Sequence, residues 1–254
     1  MPLRNSRPLA GWRVLVPRGG EWGNSIAATL RAHGAEPVVA PMVNFAAPDR
    51  VDELEGALTR LREGAFDWLL VTTAATVDVL VSQDVDFPAH TRMAAVGENT
   101  VSALRLSGYP VDFVAESEQS VAALVTEWGV DAGSRVLVLS PEASAAVLTE
   151  AVGALAVDAQ TVVAYRTVGI PMPAELRDDV STGRIGALLV TSESVALEVL
   201  EQLSPLPAST LVAAIGPRTA DDTRAVGIEV DIVAEELTEE ALIRALVAHI
   251  EGNN

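Results

Sequence analysis

The internal repeat of this 254-residue chain limits its possible folds more than any other feature of the sequence. Short segments recur in unchanged order 119 residues further along. The pairs are Leu70–Thr73 with Leu189–Ser192, Val96–Thr100 with Ile215–Thr219, and Gly108–Asp112 with Gly227–Asp231. Arg13–Val16 and Arg135–Val138 share the sequence RVLV at a separation of 122 residues. Such ordered matches indicate the duplication of one structural unit of roughly 120 residues.

Short apolar segments alternate with amphipathic segments along the chain. The apolar segments predict strands buried on both faces, and apolar residues at i, i+3 and i+4 between them predict helices. The predicted strands are Arg13–Val16, Pro37–Ala40, Trp68–Thr72, Met93–Val96, Val111–Val114, Arg135–Leu139, Thr161–Tyr165, Ala187–Thr191, Leu211–Ile215 and Val230–Val233. The predicted helices are Asn24–His33, Val51–Arg62, Thr100–Leu106, Val121–Glu127, Ala143–Ala154, Ser194–Leu203, Arg218–Val226 and Glu239–His249. This alternation favours an α/β fold of two similar domains, each with a parallel sheet flanked by helices.

Two extended segments differ from this pattern, and we interpret them as connectors between the domains. Residues 37–48 contain three prolines, which suit an extended backbone better than a helix. Residues 161–168 lead into a second proline-containing segment. If both segments connect the same two domains, the first strand and helix belong with the C-terminal half. We therefore predict a discontinuous domain 1 (residues 1–38 and 168–254), a domain 2 (residues 48–160) and two linker strands (residues 39–47 and 161–167).

Composition excludes several classes of function. The 17 basic residues are all arginine and face 35 acidic ones, which gives a net charge of −18 and argues against binding to nucleic acid or to an anionic membrane. Without cysteine, the chain has no disulfide, thiolate-bound zinc or cysteine nucleophile, and its three histidines have no metal-ligand spacing. The N-terminal residues lack a continuous apolar segment, so we expect no signal peptide or membrane span and a cytoplasmic location.

Small, hydroxylated or glycine residues follow most of the predicted strands. In a parallel sheet, ligands bind beyond the carboxyl ends of the strands, where helix N-termini present free amides and a partial positive charge. The candidates at these ends are Arg18, Thr73, Gly97, Thr100, Ser140, Ser192, Gly216 and Thr219. Together they predict a site for a carboxylate-bearing anion. Serine and threonine are also ordinary helix N-caps at such turns, so both interpretations remain open.

Arg18 and Tyr165 have more specific chemistry. Arg18 directly follows the first strand and can pair either with a ligand carboxylate or with an acidic neighbour on the surface. Tyr165 lies in the second connector, where its phenol can act as a hydrogen-bond donor or weak acid, or simply pack. Gly19, Gly20 and Gly23 lack the G-x-G-x-x-G spacing of a dinucleotide site, and no acidic residue ends the second strand.

Several motifs, taken in order, resemble the uroporphyrinogen-III synthase family. They are RVLVPR (13–18), HGAEPVVAPMV (33–43), FDWLLVTTAATV (66–77), AAVGENTVSAL (94–104), AYRT (164–167), ALLVTSESV (187–195) and AAIGPRTADDTRAVGIEV (213–230). The resemblance extends over nearly the whole chain, from residue 13 to about residue 245. It implies two flavodoxin-like α/β domains joined by a two-stranded linker, with the first domain discontinuous.

The resemblance also implies an activity. Enzymes of this family remove the terminal hydroxyl of 1-hydroxymethylbilane, a linear tetrapyrrole with eight carboxylates, as water. They then close the macrocycle through a spirocyclic intermediate with ring D inverted, and they use no cofactor. The positions that match the family's ligand-proximal residues are Thr73, Thr100, Tyr165, Ser192 and Thr219, and Arg18 matches its arginine after the first strand. The expected partner is thus the small-molecule substrate, and we expect a monomer.

A non-catalytic function is the alternative. The chain could be a two-domain protein that closes on an anionic ligand without turnover, or a regulatory homologue. A DNA-binding tail would favour regulation, whereas after Glu239 the sequence predicts one further helix. We therefore favour the enzyme.

Overall fold

Two sheets, built mainly from parallel strand pairs, organise the chain. The computed structural model describes residues 7–115 and 121–252. The strands are β1 (Arg13–Val16), β2 (Glu36–Val39), β3 (Val43–Ala46), β4 (Trp68–Val71), β5 (Arg92–Ala95), β6 (Phe113–Val114), β7 (Arg135–Pro141), β8 (Asp158–Gly169), β9 (Ala187–Val190), β10 (Leu211–Ala214) and β11 (Ile232–Val233). The helices are α1 (Gly20–Ala32), α2 (Val51–Arg62), α3 (Ala74–Ser82), α4 (Glu98–Leu106), α5 (Val121–Glu127), α6 (Ala145–Gly153), α7 (Ala174–Ser181), α8 (Glu193–Leu203), α9 (Pro217–Ala225) and α10 (Glu239–Gly252). Residues 1–6, 116–120 and 253–254, which the predicted domains include, lie outside the described residues.

The first sheet has five strands in the order β2-β1-β9-β10-β11, and every pair is parallel. This is the 2-1-3-4-5 order of flavodoxin-like folds. The order reverses between β1 and β9, where Val14 pairs with Ala187 and Leu15 with Leu188. Such a reversal leaves a crevice beyond the carboxyl ends of the two strands.

The second sheet contains the same spatial arrangement of equivalent strands, but the chain forms these strands in a different order. Its order is β8-β7-β4-β5-β6, with β3 added beside β8. By the repeat, β7 corresponds to β1 and β4 to β9, so the reversal between β7 and β4 matches the reversal in the first sheet. Each sheet therefore combines strands from both copies of the repeat. The predicted α/β fold, with two similar sheets built mainly from parallel strand pairs and flanked by helices, is confirmed.

The described residues form two compact units. Unit 1 comprises residues within 1–44 and 168–254 and holds the five-stranded sheet. Unit 2 comprises residues within 45–167 and holds most of the six-stranded sheet. The chain therefore passes from one unit to the other near residues 44 and 168.

Helices cover both faces of each sheet. In unit 1, Val14 packs with α1 and α10, whereas the next residue, Leu15, packs on the opposite face with α7 and α8. In unit 2, Leu69 packs with α2, α3 and α4, and Leu70 packs with α5 and α6. All four side chains are fully buried. Each such burial stabilises the fold by about 1.5–3 kcal/mol, which explains why four-residue strands without a polar face form here.

Most predicted elements are present, and two helices escaped prediction. The segment of α3 is apolar on nearly all sides, so it has little amphipathic periodicity, and α7 is only eight residues long. Among the described residues, no helix is long and apolar enough to cross a membrane.

The two units predict which fragments fold alone. A fragment of residues 45–167 contains β4–β8 and should unfold cooperatively on heating, as followed by circular dichroism. A fragment of residues 1–120, of similar length, joins strands that belong to different sheets and should lack a cooperative transition. Cooperative unfolding of the 1–120 fragment alone would show that the contiguous repeats, rather than the two units, are the folding domains.

Candidate functional site

Arg18 lies in a glycine-rich turn between β1 and α1, beside the strand reversal of unit 1. Gly20 has a φ of 66°, a left-handed conformation that glycine adopts without strain. A Cβ atom on Gly23 would clash with the main-chain oxygen of Arg18, so a larger residue would displace the first turn of α1. The glycines therefore bring the free amides of α1 close to the carboxyl end of β1.

The side chain of Arg18 is exposed and available to a ligand. Its guanidinium carbon lies 5.0 Å from the ring centre of Trp22, a cation–π contact. Surrounding protein atoms lower the pKa of Arg18 through desolvation, and the negative charge of Glu239 opposes this shift. The guanidinium nevertheless stays charged at neutral pH. Among the described residues, no carboxylate forms an ion pair with it.

Thr73 and Ser192 occupy equivalent positions in the two units, and both are helix N-caps. The hydroxyl of Thr73 accepts a hydrogen bond from the amide of Thr76 at 3.3 Å, and that of Ser192 accepts one from the amide of Val195 at 3.3 Å. The capping interpretation is thus correct for both residues. Because both remain only half-buried at strand ends, capping does not exclude a second contact with a ligand.

Three of the four candidate residues at the start of α4 and α9 are buried. Thr100 and Thr219 are buried within the first turns of these helices, and Gly216 is buried near the side chain of Leu237. Gly97 remains half-exposed at the N-terminus of α4 and has a φ of 86°. An L-amino acid there would be strained, which accounts for this glycine.

Tyr165 and Thr73 are brought together in unit 2, although they are far apart in sequence. The Tyr165 hydroxyl lies 3.3 Å from the Thr73 hydroxyl, and its ring contacts Phe45 edge-on at a centroid distance of 4.8 Å. Burial raises the pKa of Tyr165, and the hydrogen bond to Thr73 opposes the rise. The phenol is therefore neutral at physiological pH and can donate a proton. It also lines a cavity of about 270 Å³ with Phe45, Val51 and Leu58.

Ser140 is the last of the candidate residues at the strand ends. Ser140 is fully buried at the end of β7, and its hydroxyl has no hydrogen-bond partner among the described residues. Its role as a ligand contact stays a prediction.

The side chain of Arg218 is 95% exposed and lies 4.0 Å from the carboxylate of Asp222. This position does not distinguish a ligand contact from an ordinary surface residue. In residues 7–115 and 121–252, no group of three His, Cys, Asp or Glu side chains could hold a metal ion.

The sequence comparisons identify the family. The sequence profile of uroporphyrinogen-III synthase HemD matches residues 24–244, which is most of the chain. The chain belongs to the uroporphyrinogen-III synthase family. The uroporphyrinogen-III synthase of Synechococcus elongatus is 27% identical over 269 residues, covering 94% of this chain and 96% of the relative. The porphyrin biosynthesis protein HemD of Ruminiclostridium josui is 26% identical over 258 residues, and the chain spans about half of that relative's length (50%).

Solved structures show the same fold. A mutant uroporphyrinogen III synthase from the extremely thermophilic bacterium Thermus thermophilus superposes with a TM-score of 0.65 at 18% identity, covering 96% of this chain and 100% of the neighbour. The Helicobacter pylori 26695 uroporphyrinogen-III synthetase gives 0.60 at 16% identity, covering 94% and 99%. These structures share the fold of this chain, and the family profile and the relatives agree with the resemblance found in the sequence.

Two contacts of the candidate residues were not predicted. Trp22 lies four residues after Arg18, and Phe45 lies within the segment interpreted as a connector. The contact with Trp22 had a signal in the sequence, because an aromatic residue four positions after Arg18 is close enough to contact its guanidinium. The pairing of Phe45 with Tyr165 had no sequence signal, because it depends on β3 lying beside β8.

Two variants of Ser192 separate capping from ligand binding. Ser192→Ala removes the hydroxyl and should lower the free energy of unfolding by about 1 kcal/mol, whereas Ser192→Gly removes it at a cost of only a few tenths. If the hydroxyl contacts the substrate, both variants should raise KM by about three- to tenfold, the loss of roughly one hydrogen bond. Unchanged KM in both, with only the alanine variant destabilised, would make Ser192 a cap alone.

Proposed function

We propose that this chain cyclises hydroxymethylbilane to uroporphyrinogen III, with loss of water and inversion of ring D. The match of the family profile over residues 24–244 carries this proposal. The Synechococcus relative supports it, because that protein is matched over nearly its full length. The candidate residues at the strand ends suit the substrate, whose eight carboxylates require many anion contacts.

Main-chain amides and Arg18 supply these contacts in the proposed reaction. The first amides of α1, α3 and α8 have no partner within their helices, and each helix N-terminus carries a partial charge of about +0.5. Arg18 adds a full positive charge that no described carboxylate neutralises by an ion pair. A chain of net charge −18 can thus bind a polyanion at sheet edges where its local charge is favourable.

Tyr165 acts as the proton donor in the first step. The pyrrole nitrogen lone pair displaces the terminal hydroxyl, the carbon–oxygen bond breaks, and the phenol proton converts the departing hydroxide to water. The phenolate regains a proton from a pyrrole carbon when the ring closes, so Tyr165 ends the cycle neutral. Thr73 stabilises the transient phenolate through the contact of 3.3 Å between the two hydroxyls.

Positioning provides most of the remaining rate enhancement. The azafulvene formed after water loss is reactive enough to cyclise without an enzyme, so the protein must favour spiro closure over direct closure. By holding both ends of the bilane in place, the protein brings the atoms that form the spirocycle together and keeps the atoms of direct closure apart. Several weak contacts, rather than one strong catalytic group, then determine the product.

The product isomer tests the proposed function. The purified protein should convert hydroxymethylbilane to the type III isomer, measured by chromatography of the oxidised porphyrins. Spontaneous cyclisation gives the type I isomer and provides the enzyme-free control. Formation of the type I isomer alone, at the spontaneous rate, would contradict the proposal and support the ligand-binding alternative.

Replacement of Tyr165 tests its role as proton donor. Tyr165→Phe should lower turnover by about 10- to 100-fold, because one proton donor among many contacts is lost. Since burial raises the pKa of Tyr165 above its usual 10.0, the ratio of wild-type to variant turnover should stay constant between about pH 6 and pH 9.

Tyr109→Phe is the matched control. Tyr109 is a half-buried tyrosine of unit 2, and burial raises its pKa as it raises that of Tyr165. It lies at the opposite edge of the sheet, so its replacement should leave turnover unchanged. Equal turnover of Tyr165→Phe and wild type at saturating substrate would indicate that Tyr165 only packs and donates no proton.

A cytoplasmic location and a monomeric state remain predictions from the sequence.

A further inference from the structure

A cavity of about 650 Å³ lies at the amino-terminal edge of the sheet in unit 1. It adjoins the first residues of β10, at the edge opposite Arg18 and Ser192. Its lining includes the apolar side chains of Leu200, Leu206 and Ile228. This volume falls within the range of about 300–1,000 Å³ that is usual for small-molecule sites. We call this place the unit 1 corner.

The repeat builds the same corner in unit 2. The hydroxyl of Thr210 donates a hydrogen bond to the main-chain oxygen of Ile185 at 2.8 Å. Thr91, 119 residues earlier, donates the equivalent bond to Phe66 at 2.8 Å. The loops that lead to these threonines, residues 204–210 and 85–91, have equal length and share a Pro-Ala pair.

A second pair of equivalent hydrogen bonds frames the other side of each corner. The carboxylate of Asp231 accepts a bond from the amide of Val212 at 2.8 Å. The carboxylate of Asp112 accepts the equivalent bond from the amide of Met93 at 2.7 Å. The backbone frame is therefore the same in the two units, and any difference between the corners comes from the side chains that fill them.

The side chains that fill the two corners are different. In unit 2, the rings of Phe87 and Tyr109 stack at a centroid distance of 5.9 Å and an angle of 6°. The Tyr109 hydroxyl donates to the main-chain oxygen of Val85 at 2.9 Å. The repeat places Leu206 and Ile228 at the corresponding positions of unit 1. The unit 1 corner thus has the backbone frame that holds an aromatic pair in unit 2, but none of the described residues that line its cavity is aromatic.

The charge at the unit 1 corner is negative. Glu229 lines the cavity and is exposed, at the position where unit 2 has Pro110. Asp231 lines the same cavity. In the part of the chain that the structure describes, the Glu229 carboxylate forms no ion pair. A ligand for this corner should therefore combine an aromatic ring with a positive charge.

We propose that the unit 1 corner binds a small aromatic amine. The ring of the ligand takes the place that Phe87 and Tyr109 fill in unit 2, and its ammonium group pairs with Glu229. The repeat supports the ring, because unit 2 shows the frame occupied by stacked aromatic side chains. The unpaired carboxylate supports the positive charge. This site is separate from the strand ends assigned to the bilane.

Tyramine is a suitable probe, because it joins a phenol ring to an ammonium group. Titration of the full chain by ligand-observed NMR should show saturable binding. The anionic analogue 4-hydroxyphenylacetate carries the same ring and should bind at least about tenfold more weakly. Absence of saturable tyramine binding, or equal binding of the two probes, would overturn the proposal.

A variant that fills the corner locates the site. Leu206→Phe with Ile228→Tyr installs the residues of unit 2 and should abolish tyramine binding while turnover of hydroxymethylbilane stays unchanged. Because Ile228 is buried, Leu206→Phe alone provides a second variant if the double variant unfolds, and it should weaken binding by about tenfold. Undiminished tyramine binding in a folded filled variant would place the ligand elsewhere.

Glu229→Gln tests the charge separately from the cavity. This variant should weaken tyramine binding by about three- to tenfold and leave the binding of neutral 4-ethylphenol unchanged. An equal loss for both probes would indicate a damaged cavity rather than a lost ion pair, and would contradict the proposed role of Glu229.

Discussion

Pairing between strands of different repeats is the constraint on which the structure depends. β1 pairs with β9 in one sheet, and β7 pairs with β4 in the other, so each central pair joins strands from both copies of the repeat. These same pairs are the points where strand order reverses. The duplicated sequence therefore yields two sheets with equivalent carboxyl edges, and a single chain can fold them only by crossing twice between the units.

The proposed chemistry follows from what lies at those edges. Thr73 and Ser192 cap equivalent helices, which leaves hydroxyls and unpaired amides beside the strand ends. In the proposed mechanism, Arg18 gives unit 1 a charged contact and Tyr165 gives unit 2 a neutral acid, so the two equivalent edges contribute different chemistry. The amino-terminal edges have diverged in the same way, with a filled corner in unit 2 and an open cavity in unit 1.

The sequence predicts the fold well because the strand–helix alternation is a local pattern and the repeat is visible as matching segments in unchanged order. It places Thr73 and Ser192 at strand ends because their positions are fixed by short strands and the turns that follow. It misses α3, whose faces are almost uniformly apolar. It also misses the contact of Phe45 with Tyr165, since that contact depends on long-range pairing of β3 with β8. The difference between Tyr109 and Ile228 is visible in the aligned repeats, but the resulting cavity depends on packing that no spacing reveals.

The central proposal is that main-chain amides at the carboxyl edge of each sheet bind carboxylates of the tetrapyrrole. The most direct test is the change in backbone amide chemical shifts of the ¹⁵N-labelled protein on addition of uroporphyrinogen III under anaerobic conditions. The account predicts the largest changes at the N-termini of α1 and α8 in unit 1 and of α3 in unit 2. Changes confined to one sheet, or centred on the amino-terminal edges near Thr91 and Thr210, would contradict it.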